Sequence, residues 1–217
     1  MQSKALIERS ARQRSPALCH HTTICTHLDT RAADDGAATT RRLPTTYLHT
    51  HLCENRDEIA WVKSFPPAHK GYLDVYHQHG LTGHNCVFAH CVHLEEQEWD
   101  CLKETGSTIA FCPTSNLYLG RGLFKLHKAW RKQVKVGMGT DVGAGTAFNM
   151  LQTLNEAYKV MQLQGERLSA YQAFYLATLG GAHSLGLDGG IRQLCGGQGG
   201  GFRGARPGRH PAAAAAL

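Results

Sequence analysis

Four apolar, strand-like runs follow one another over residues 47–188, each trailed by a segment with helical punctuation, and this alternation restricts the chain to a parallel sheet covered by helices. The runs cover 47–51, 85–90, 107–112 and 134–140. Helices are predicted over 57–63, 72–79, 94–105, 123–133, 148–163 and 169–185. Gly80, Gly106 and Gly186 stand just past three of them, and acids open the first turn of the third. Pro66 and Pro67 break the chain after the first helix, and Pro113 stops the third strand. The fifth helix is the most regular, with Met150, Leu154, Ala157, Tyr158 and Met161 on one face. Such a series builds either a doubly wound sheet or part of a barrel.

The polar residues at the strand ends choose between them. His51, His90 and Asp141 each fall at the C-terminal tip of a different strand, and Cys112, Pro113, Thr114, Ser115 and Asn116 end the remaining one. Functional residues gathered from several strand tips are the habit of the (β/α)8 barrel, whose loops share one rim. Glu54, three residues after His51, sits in the loop above it, where a carboxylate can reach a water held by the imidazole. A hydrolytic zinc site needs that pairing, because the metal acidifies the water and the carboxylate moves its proton. Taken singly, the His-x-x-Glu also describes a helix start with a capping acid, a histidine ending a strand is often a hydrogen-bonded core residue, and an Asp after Gly-Thr is often a helix cap. Repeated at successive strand tips, they favour a metal site.

The segments THLCEN, FAHCVHL, FCPTSN and GMGTDVGAG, in this order and at these separations, resemble the second half of the metal-dependent amidohydrolase superfamily, and within it the guanine deaminases of bacterial type. The resemblance covers residues 47–188. It implies an α/β fold, an incomplete (β/α)8 TIM-type barrel of about four β/α units (barrel strands five to eight) with irregular ends. It implies zinc as cofactor, with His51 as a ligand from the fifth strand, Asp141 as a ligand and base from the eighth, and His90 beside the metal, hydrogen-bonding the attacking oxygen. Glu54 is implied as the proton shuttle. The implied reaction is hydrolysis of guanine to xanthine and ammonia, a step of purine catabolism, impaired or absent in this chain. Another amidohydrolase activity on a related ring (a chlorohydrolase or an adenosine-type deaminase), or an inactive fragment with nonspecific basic tails, stays open. His49 and His51 form an HxH that could pass for the family's first-strand metal pair, but LCEN follows and the later strands count as six, seven and eight. His93 reads as a loop residue rather than a second ligand.

Elsewhere the chain departs from that pattern. No family-type HxH or Pro-Arg-Phe precedes Tyr47, and residues 10–46 hold eight Thr and five Arg but only Leu18, Ile24, Leu28 and Leu43 as large apolar side chains. No period runs through them, so residues 1–46 are expected to be largely disordered or aberrant. Cys19, His20, His21, Cys25 and His27 match no zinc-finger spacing. Residues 189–217, with nine Gly, six Ala and no acid, are expected to be a disordered tail. Both ends are read as out-of-frame translations flanking an in-frame barrel segment, because the ends carry 11 Lys and Arg against 4 Asp and Glu, while residues 47–188 carry 12 against 13. The net charge of +6 thus belongs to the ends, and with Phe202 the lone aromatic beyond residue 188 it implies no specific nucleic-acid partner. No apolar run suits a membrane span or secretory signal, so the cytoplasm is the default location. Cys53, Cys86, Cys91, Cys101 and Cys112 are expected as buried free thiols. Half a barrel leaves open strand edges, so marginal stability, self-association as a homo-oligomer and at most a weak zinc site are expected.

Overall fold

The computed structural model describes residues 19–21, 46–64 and 69–188. They form one five-stranded sheet in the order β1 (Cys19–His21), β2 (Tyr47–Leu52), β3 (Cys86–His90), β4 (Thr108–Phe111) and β5 (Lys135–Met138). Every neighbouring pair is parallel. Sheet order therefore equals chain order, as a barrel requires and a doubly wound sheet does not. The four expected strands are present. β1 is additional: residues 10–46 show no strand period, yet Cys19–His21 pairs with Tyr47–His49 along the free edge of β2. Backbone groups on an open strand edge recruit a partner whatever its side chains. The other residues of the expected N-terminal segment, the C-terminal tail, and Pro66 and Pro67 lie outside the described residues.

Burial alternates along the strands and separates two faces. Leu48, Leu52, Phe88, Ile109, Phe111 and Val136 are buried against the helices, together with Tyr76, Trp99, Leu102, Phe124 and Val160. His51, Ala89, Ala110 and Gly137 lie side by side in the strand register on the opposite face. That face is where His51 emerges.

Up to Leu163 the described residues form α1 (Arg56–Lys63), α2 (Tyr72–Gln78), α3 (Glu96–Thr105), α4 (Pro113–Tyr118), α5 (Leu126–Arg131) and α6 (Met150–Leu163). Five of these helices cover the expected helical segments, and α4 is additional. Asn55 caps α1 by accepting from the Asp57 and Glu58 amides. Gly106 ends α3 in the left-handed conformation, φ 70°. Three readings change. Pro113 stops β4 but also opens α4 at a first-turn position, where its missing N–H costs nothing. α5 is shorter than expected. On α6 the buried face is Thr153, Leu154, Ala157, Val160 and Met161, while Tyr158 faces outward.

The last expected helix is two, α7 (Ala170–Ala177) and α8 (Leu179–Ser184), broken at Thr178. The break turns α8 onto the sheet face opposite the main core. There Thr108 Oγ1 donates to the Ser184 carbonyl at 2.6 Å, and Tyr47 Oη donates to the Leu185 carbonyl. A Cβ on Gly137 would stand 3.5 Å from Gly181 Cα, an ordinary contact distance, so α8 lies directly against β5. A cavity of about 230 Å³ remains between α8, α7 and β3–β5.

Cys53, Cys86, Cys91, Cys101 and Cys112 are free, all buried except the half-buried Cys101. Burial pushes the Cys86 and Cys112 thiols up from 9 to about 12. A folded-state pKa raised above the unfolded one favours the neutral thiol in the fold, so this contribution is complete below about 9 and disappears as pH rises through about 12. The urea midpoint is therefore expected to fall across that alkaline window, and a midpoint that stays level through it would count against buried thiols.

Candidate active site

Each candidate side chain sits where a strand ends, and the backbone there is unusual. Cys53, His90, Cys91 and Asp141 all have positive φ, at 49°, 71°, 51° and 49°. Non-glycine residues take this conformation at a cost of about 1–2 kcal/mol each. Concentrated at the strand tips, it marks a rim whose geometry is held by its surroundings. Backbone bonds supply the hold: Cys91 N–H donates to Leu52 O at 2.9 Å, His93 N–H to Cys53 O at 3.1 Å, and Gly139 N–H to Phe111 O at 2.9 Å. Around Asp141 the chain closes tightly, since a Cβ on Gly145 would collide with the Thr140 carbonyl and lie 2.8 Å from Asp141 O. Thr114 Oγ1 donates to the same Thr140 carbonyl at 3.1 Å, tying the loop after β5 to α4.

His90 is the centre of the site. Its Nδ1–H donates to Asn116 Oδ1 at 2.8 Å, both residues being buried. A carbonyl oxygen only accepts, so Nδ1 is the donor in this bond and Nε2 is the ring nitrogen turned toward the carboxylates. Nε2 lies 3.9 Å from Glu54 Oε2 and 3.9 Å from Asp141 Oδ2. The His51 ring stacks on that of His90, centroids 5.4 Å apart. The structure thus brings together all four sequence-predicted residues, from β2, the loop after it, the end of β3 and the end of β5.

The donor set suits zinc, which takes imidazole nitrogen and carboxylate oxygen. Two donors on one tetrahedral zinc stand about 3.3 Å apart, given bonds of about 2.0–2.1 Å. The 3.9 Å separations around His90 Nε2 lie within roughly half an ångström of that spacing. Among the described residues, no three His, Cys, Asp or Glu side chains are placed as a complete metal-binding group. His51, His90 and Asp141 thus have the donor chemistry of part of a ligand set without being arranged as a complete one.

Two residues without an assigned role in the sequence also join the site. Asn116, noted there only as ending a strand, orients His90. Arg121 donates through Nε to Glu54 Oε1 at 3.3 Å. The available signal was Arg121 standing between Gly120 and Gly122, whose φ values are 64° and 124°. His93 is a loop residue, as expected: its Nε2–H donates to the Arg121 carbonyl at 2.8 Å, and burial lowers its pKa.

Parallel strands in chain order, alternation with helices and a His-carboxylate cluster at the C-terminal rim define a portion of a TIM-barrel hydrolase. The chain belongs to the Amidohydrolase family, which matches residues 2–193. It is 82% identical over 145 residues to guanine deaminase of Escherichia coli, covering 67% of this chain and 33% of that protein. The structure of E. coli guanine deaminase superposes with a TM-score of 0.84 at 65% identity, covering 91% of this chain and 46% of that one. Residues outside the sequence match therefore add little identity. Guanine deaminase from C. acetobutylicum, solved with guanine bound in its active site, has a TM-score of 0.69 at 31% identity over 73% of this chain and 39% of its own. An adenosine deaminase from Xanthomonas campestris with bound zinc, 22% identical, shares the fold with a TM-score of 0.77 over 88% of this chain and 44% of its own. The chain spans a third of the curated E. coli relative and less than half of its structure.

Proposed function

We propose that this chain carries part of the site for hydrolytic deamination of guanine, in which water replaces the 2-amino group and xanthine and ammonia leave. The observation that carries the reading is the convergence of Glu54 and Asp141 on His90 Nε2, each at 3.9 Å, on the rim of a chain so close to E. coli guanine deaminase. His51 and Asp141 are the residues that would help to hold zinc, and His90 would stand beside it. When bound, zinc supplies Lewis acidity that makes a water nucleophilic near neutral pH.

The protein's own groups handle protons and position. Glu54 takes one proton from the water and gives it to the purine ring nitrogen, where it stays in xanthine. Asp141 accepts the second proton of the attacking oxygen, and that proton passes by way of Glu54 to the amino group, which leaves as ammonia as the C–N bond breaks. His90, its Nδ1–H anchored on Asn116, steers that oxygen through Nε2. The free thiols are consistent with a reducing compartment such as the cytoplasm, and no helix among the described residues is long and apolar enough to cross a membrane. Among the described residues no strand pairs with the outer side of β1 or β5, which supports self-association as a homo-oligomer.

The test is incubation of the purified chain with zinc and guanine beside E. coli guanine deaminase, following xanthine and ammonia together. Slow formation of both in equal amounts from guanine, with none from adenine, is expected. Faster deamination of adenine would move the assignment to another ring, and no turnover of either would leave a family member without this activity.

A further inference from the structure

Arg121 occupies a loop built around it. Its N–H donates to Asn116 O at 2.8 Å, its carbonyl accepts from His93 Nε2 at 2.8 Å, and both neighbours are glycines at positive φ. A Cβ on Gly122 would stand 3.0 Å from Val92 Cγ1, so the loop can approach the β3 tip this closely only with glycine there. The side chain, about one third exposed, then reaches Glu54 Oε1 at 3.3 Å while Oε2 faces His90 Nε2 at 3.9 Å. Asn116 thus bonds the imidazole through its side chain and the arginine through its backbone, joining the two sides of the site.

We infer that Arg121 is a positioning residue that holds Glu54 out of the metal's ligand set. The inference rests on the metal-site reading above. A carboxylate this near His90 and Asp141 is chemically as good a zinc ligand as Asp141 itself. Bound to the metal, it could no longer carry a proton. The guanidinium occupies one of its oxygens and fixes the direction of the other, at the modest strength of a partly exposed ion pair.

The test is zinc affinity of the full chain, by competition with a chromophoric chelator, with the cobalt(II) absorption spectrum as a second readout of coordination. Arg121→Ala is expected to bind zinc about tenfold more tightly and to alter the cobalt spectrum as Glu54 becomes a ligand. Arg121→Lys keeps a cation opposite Glu54 and is expected to stay within about threefold of the parent. In a Glu54→Gln background, Arg121→Ala is expected to change nothing. Tightening that persists in that background would be plain removal of a positive charge and would overturn the inference, as would unchanged affinity in Arg121→Ala. If neither the parent nor the variant binds zinc, the metal-site reading fails and this inference with it.

Discussion

Replacing Glu54 by Gln is expected to reduce guanine turnover by roughly 10²- to 10⁴-fold while leaving zinc content unchanged, because an amide keeps the shape of the side chain but cannot accept a proton and release it again. The ion pair with Arg121 is what distinguishes Glu54 from Asp141. Glu54 is anchored by Arg121 through Oε1 and presents Oε2 toward His90 Nε2 at 3.9 Å. The amide can still accept from Arg121, so the loop should not collapse. Xanthine formation by parent and variant, measured beside bound zinc by atomic absorption, decides the matter. Turnover kept within tenfold would remove Glu54 as the shuttle. Zinc lost together with turnover would make it a ligand.

Replacing Glu98 by Ala is expected to lower folding stability by about 3 kcal/mol, a large share of the roughly 5–15 kcal/mol that holds an ordinary domain together. Glu98 is a charged residue only 4% exposed, and its neighbourhood explains how that is tolerated. Its carboxylate accepts from the Leu73 amide at 3.0 Å, from the Glu95 amide at 2.8 Å and from Cys53 Sγ–H at 3.6 Å. It thereby completes the capping box of α3, satisfies the first turn of α2 and supports the left-handed Cys53 beside Glu54. The Cys53 thiol is pushed well up, by burial first and by the Glu98 charge second, so it stays a donor. Alanine would orphan two amides at once. Gln should cost less, since it still accepts on one atom but turns an N–H₂ toward an N–H. Urea unfolding followed by fluorescence of the buried Trp99 measures the difference, with exposed Glu104→Ala as a control expected within about 0.5 kcal/mol of the parent. A loss from Glu98→Ala no larger than the control's would show that the carboxylate is not the tie described.

Much of this was legible in the residues before any coordinates. Strand and helix order followed from apolar period and punctuation: Gly106 ends α3 and Ser169 caps α7 as their types suggest. His51, Glu54, His90 and Asp141 were legible because each falls at or just beyond a strand tip and one rim collects them. Other features had no local signal. Tyr158 fits the apolar stripe of α6 but faces outward, because Val160 and Thr153 turn inward with the face that meets the core. The break at Thr178 lies inside a continuous helical pattern, and the seat of α8 on the sheet, through Thr108, Tyr47 and Gly137, imposes it. β1 forms in a segment with no strand period because the edge of β2 offers it backbone partners.

The sequence by itself determined the succession of strands and helices, the membership of the rim and the kind of chemistry its donors can support, since these depend on residue type and spacing along the chain. Tertiary structure alone decided that Asn116 commits the Nδ1 of His90, that Arg121 takes one oxygen of Glu54, and that Glu98 can be buried. These are contacts between residues 26, 67 and 25 or more positions apart. Hydrogen bonds at such separations depend on how whole elements pack, and no local period or propensity encodes them.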